Sequence, residues 1–166
     1  MKMKIKEYFE NKEKLENSYN FYIDKKQIIE KENTNTLVNP HLKKADHNLQ
    51  MFNNLSNEFN DWKIISLYYT LYHACLALVV NKNFISKNHT ATIIFIIKHY
   101  SEFNQEELSL LEELQIKEED AKFYTDLKEE RHKANYSTNF SYNDEKIDNL
   151  KDKTIQLLNK IKSILN

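Results

Sequence analysis

The stretch "LKEERHKANYST" holds Arg131, the one arginine among the chain's 24 basic residues; the others are lysines. In a sequence this rich in Lys, Asn and Ile, a lone arginine marks a position where a point charge does not serve. Its planar guanidinium grips a carboxylate or phosphate through two parallel hydrogen bonds, which an ammonium cannot do. A helix over 118–135 sets Tyr124, Leu127, Arg131 and Ala134 on one stripe, spaced by three and four. A guanidinium on an inward stripe is costly unless it meets an anion or a carboxylate. Asn135 and Tyr136 return to its side one turn on, whereas His132 lies about 100° away around the helix. Arg, Asn and Tyr at a helix end make a candidate anion or nucleotide site. The alternative is an internal clamp, with Arg131 holding a carboxylate or helix-end carbonyls.

Other chemistries find less support. His41 and His47 are six apart, about 240° around a helix, and face different ways. No HExxH motif or Cys/His cluster is present, so no metal site is expected. Cys75 sits among Leu and Ala, where a small buried residue is the simpler reading than a nucleophile. His73 and His89 could reach the Arg131 region from neighbouring helices, and each is equally explained as a buried, hydrogen-bonded histidine. With no glycine in the chain, phosphate-cradling Gly-rich loops are excluded. No cofactor is implied.

The elements that must position these residues read as helices. Zero Gly and one Pro leave little for hairpins and bulges, and point to helices joined by Asn, Ser and Asp turns. A first helix is expected over 3–32, with Ile5, Tyr8, Phe9, Leu15, Tyr19, Tyr22 and Ile23 on one stripe. "NTNTLVNP" breaks the pattern, and Pro40 suits the first position of a second helix over 40–56. A third, over 62–83, is apolar on nearly every side and is the candidate central helix. Ser86 or Asn88 can cap a fourth over 89–101, in which "IIFII" reads as helix for want of a partner strand. Helices over 104–116 and 118–135, a loop at 136–144 and an amphipathic helix to the end complete the chain. The last starts acidic and ends Lys-rich, which suits the helix dipole.

A formal net charge of −1 gives no global basic field, so any nucleic-acid contact must be local. One cysteine excludes an internal disulfide and fits a reducing compartment. "MKMKIKEYFENKEK" lacks the apolar core of a signal peptide, and "TLYHACLALVV" is too short to span a bilayer. A cytoplasmic protein without membrane attachment is expected.

Three blocks in order, "SLYYTLYHACLALVV", "ISKNHTATIIFIIKHY" and "LKEERHKANYS", together resemble the HEPN domain superfamily, in its small stand-alone branch. The matching elements are Tyr68, Tyr69, Tyr72, His73 and Ala74, then Lys87 and His89, then Arg131, Ala134, Asn135 and Tyr136. The resemblance covers about residues 41–165. It implies an all-α, up-and-down helical bundle of HEPN type over 40–166, with 1–39 an extra N-terminal helix and linker. It also implies a homodimer that brings two Arg motifs together. Many such proteins are metal-independent ribonucleases in which Arg stabilises a phosphorane-like transition state and His assists attack by the ribose 2′-OH. Others pair with a minimal nucleotidyltransferase as toxin and antitoxin, the partner modifying a tyrosine near the motif. The resemblance gives Arg131, His132 and Tyr136 as candidate catalytic residues, and Asn135, His89 and Tyr69 as candidate RNA- or nucleotide-binding ones. Tyr136 is the modification candidate. Tyr136 and Ser137 stand where the motif histidine would fall, and a tyrosine with pKa near 10 is a poor base. A non-catalytic binding module therefore stands beside the nuclease reading.

Overall fold

The computed structural model describes residues 5–115 and 144–166. At its centre is helix α4 (Asn60–Asn81), with 14 of its 22 residues buried. Ile64, Leu67, Leu71, Ala74 and Leu78 all lie in the core, so the run that is apolar on nearly every side is enclosed on nearly every side. Helix α3 (Val38–Asn54) lies along one flank of α4, α7 (Asp144–Leu165) along another, and α5 (His89–His99) along a third. A helical run, α6, occupies 105–115. The described residues are mostly helical, as the glycine-free composition implies. From Asn57 to Asn81 the chain is long and apolar enough to cross a membrane, but 72% of its most apolar window is buried in the protein. That is how a core helix behaves.

The N-terminal segment differs from the continuous helix expected over 3–32. It forms α1 (Ile5–Glu10) and α2 (Lys12–Asp24), then a strand β1 (Ile28–Glu30). Asn11 causes the first break. Its backbone is extended, and its side chain accepts a hydrogen bond from the Lys14 amide at 2.9 Å, capping α2. The second break is a Schellman turn: the Lys26 amide donates to the Ile23 carbonyl and the Gln27 amide to the Tyr22 carbonyl. Lys26 takes the left-handed position there, at φ 53°, where other chains commonly place glycine. Asn33 and Asn83 are left-handed as well, so asparagine and lysine replace the missing glycines.

Strand β1 pairs antiparallel with β2 (Phe84–Ser86), Ile29 opposite Ile85, and so ties the N-terminal segment to the α4–α5 connection. This small sheet was not expected, since three-residue strands are too short to show a period-2 pattern. Ile5, Leu15, Tyr19 and Ile28 belong to the same core cluster as α4 and α5.

The other expected elements within the described residues stand with small shifts, while the helix expected over 118–135 and residues 136–143 of the expected loop lie outside those residues. Helix α3 starts two residues earlier than expected, leaving Pro40 in its first turn where no amide donor is needed. Of the two candidate caps for α5, Asn88 serves: its Oδ1 accepts from the Ala91 amide at 3.1 Å, while Ser86 ends β2. "IIFII" is helical, with Ile93, Ile94, Phe95 and Ile96 fully buried. Asn104 and Glu107 open α6 with a reciprocal capping box at 2.9 and 3.0 Å. Replacing Asn83 tests the left-handed turns. Asn83→Gly should leave urea-unfolding stability nearly unchanged, whereas Asn83→Val, forced into the same geometry, should cost about 1–2 kcal/mol.

Candidate functional site

Tyr69, Tyr72, His73 and Leu76 are half-buried, a stripe spaced by three and four along the middle of α4, whose ends are also partly exposed. Helix α3 brings His41 to this stripe and the first residue of α5 brings His89. The buried Tyr68 hydroxyl hydrogen-bonds the His89 imidazole. Tyr72 stacks nearly parallel to Tyr68, rings 5.9 Å apart and 7° from coplanar, and its ring centre is 4.2 Å from that of His89. On the other side, the Nδ1 atoms of His41 and His73 are 3.2 Å apart, within hydrogen-bond reach. Tyr69 bridges the two groups, 5.1 Å from Tyr68 and 6.5 Å from His73 between ring centres.

Burial sets the charge of this cluster. It lowers the pKa of His41, and it lowers that of His73 to about 4 with help from His41 and Lys44. Burial raises the pKa of Tyr72, against an opposing hydrogen bond with Thr92. At neutral pH the two histidines are therefore uncharged and Tyr72 is protonated. Stacking rings with neutral donors and acceptors suit the faces and edges of a planar ligand. Uncharged rings do not themselves neutralise an anion; a nearby cation is Lys44, which acts on His73.

Of the sequence-predicted site residues, the structure places Tyr69 and His89 on either side of Tyr68. Arg131, His132, Asn135 and Tyr136 lie outside the described residues. Sequence reasoning missed the His41–His73 contact. The two residues are 32 apart on different helices, so no spacing rule could pair them. Among the described residues, no group of three His, Cys, Asp or Glu side chains could hold a metal ion. His99, outside the cluster, packs 4.2 Å from Phe95 between ring centres and contacts the Tyr19 hydroxyl at 3.2 Å, joining α5 to α2.

Comparison with protein-family models, curated proteins and solved structures finds no match to this chain.

Cys75 is fully buried, and burial pushes its thiol up to about 12. A chromogenic disulfide reagent at pH 8 should therefore label native protein at least about a hundredfold more slowly than protein unfolded in guanidinium. Equal rates would restore Cys75 as a candidate nucleophile.

Proposed function

We propose that this chain is a HEPN-type component of a toxin–antitoxin or defence pair, acting on RNA as a homodimer in the cytoplasm. The observation that carries this reading is the contact between two of the three sequence blocks. His89, from the second, is hydrogen-bonded to Tyr68 and packed on Tyr72, both from the first. The helical bundle around α4 supports it further.

In this reading the chemistry is metal-independent transesterification. The ribose 2′-oxygen attacks the adjacent phosphorus, the P–O bond to the next nucleotide's 5′-oxygen breaks, and a 2′,3′-cyclic phosphate remains. Arg131 stabilises the charge that builds on the phosphoryl oxygens. His132 takes the 2′-hydroxyl proton, the departing 5′-oxygen is protonated from solvent to a 5′-hydroxyl, and Tyr136 is the third candidate catalytic residue. Asn135, His89 and Tyr69 hold the RNA through hydrogen bonds and stacking.

A second reading is favoured by Tyr136 and Ser137 standing where the motif histidine would be. In it the Arg131 cluster binds an RNA or nucleotide phosphate, or docks a minimal nucleotidyltransferase antitoxin, with Tyr136 as modification acceptor. Incubating purified protein with RNA in EDTA separates the two. Nuclease action predicts cleavage by wild type, reduced about 10²–10³-fold in Arg131→Ala. Arg131-dependent RNA binding without cleavage, or a mass increase on Tyr136 after incubation with a nucleotidyltransferase and nucleotide, selects the binding module. Retention of all activity by Arg131→Ala would overturn both.

A further inference from the structure

The geometry points to His41 and His73 as a proton-sharing clasp that fastens the first turn of α3 to α4 at neutral pH and opens on acidification. Their Nδ1 atoms are 3.2 Å apart while the ring centres are 5.5 Å apart, so both nitrogens lie between the rings and point at one another. Only one can carry hydrogen in an N–H···N bond. The two imidazoles therefore hold opposite tautomers, the donor with a bare Nε2 and the acceptor with a protonated one.

This arrangement makes two protonations unequal. The first added proton takes the donor's bare Nε2 and leaves the bond intact. A second has only the acceptor's Nδ1 to occupy, which sets two N–H groups and two positive charges head to head. The surroundings act in the same direction. Lys44 of α3 disfavours a charge on His73, and His41 lies in the first turn of its helix, where the dipole disfavours a cation. On α4 the neighbours are Tyr69 and Tyr72, and α5 contributes His89 behind Tyr72. Asp46, the acidic residue within α3 itself, is engaged by Lys162 of α7 at 2.6 Å.

Both pKa values are lowered in the folded chain, that of His73 to about 4. The unfolded chain binds more protons between the ordinary histidine value and that figure. Stability is thus full above about pH 6.5 and falls as pH drops from there toward 4. The adjoining Thr34 hydroxyl, bonded to the Val80 carbonyl at 3.0 Å, carries no titratable group and would keep its hold. Opening should therefore be confined to the start of α3.

Thermal midpoints at pH 7.5 and 5 test this in wild type and in the double variant His41→Asn/His73→Asn. The wild-type fall should exceed that of the variant by about 2–4 °C. The same excess should persist in a His99→Gln background, because His99 titrates separately. Nitrogen-15 NMR of wild type at pH 7.5 should show coupling between the two Nδ1 nuclei and opposite tautomers. Equal pH dependence in wild type and variant, or identical tautomers, would overturn the clasp. If the double variant does not fold, wild-type imidazole titrations decide: two separated steps support the clasp, and two independent steps near 6.5 overturn it.

Discussion

The described residues are arranged around the need to cover α4. A helix with apolar residues on nearly all sides has no stable exposed state in water, and each fully buried Leu or Ile contributes about 1.5–3 kcal/mol on leaving it. No single neighbour can cover such a helix, so α3, α5 and α7 each take one flank. Polar groups within α4 must then be satisfied locally. Thr70 donates to the Ser66 carbonyl and Ser66 to the Trp62 carbonyl, both at 2.8 Å, and Lys63 reaches Asn57 at 2.6 Å. In the middle of α4 the Tyr69–Leu76 stripe is covered only by halves. Polar rings are tolerated there because burial is incomplete.

The N-terminal segment solves a different problem. Helices α1 and α2 are amphipathic, and their apolar stripe needs a surface. They find it on α5: Lys98 pairs with Glu16 and lies 4.7 Å from the Tyr19 ring centre, while His99 meets the Tyr19 hydroxyl. Partly exposed ion pairs of this kind add little by themselves. The weight is carried by Ile5, Leu15, Tyr19 and Ile28 entering the core, and by the β1–β2 pairing that fixes the register of the segment.

How much of this was legible depended on the length over which a signal repeats. Helices α4, α5 and α7 each repeat their pattern over three or more turns, and their ends fall close to the expected ones. The break at Asn11 was hidden because one capping asparagine looks like every other asparagine in an Asn-rich chain. Strands β1 and β2 carry three residues each, too few to alternate recognisably. Of the candidate site residues, Tyr69 and His89 sit in two different sequence blocks, and their shared contact with Tyr68 depends on the crossing of two helices, which no sequence spacing reports. The His41–His73 pair was illegible for the same reason: sequence spacing reports neighbours on one helix, and this contact joins two.

The charge state of the aromatic stripe bears on the arginine that singles out "LKEERHKANYST". Some lysines among the described residues meet single carboxylates, as in Lys160–Glu107 at 2.7 Å and Lys162–Asp46 at 2.6 Å, where a point charge is sufficient. Burial lowers the pKa of His41 and of His73, so neither adds positive charge to the stripe at neutral pH. A positive charge near these rings is that of Lys44, close enough to His73 to disfavour its protonation. A lysine keeps its proton at physiological pH and supplies a point charge, as Lys44 does beside His73. Arginine adds two donors held in one plane; the chain contains one, Arg131, which lies outside the described residues.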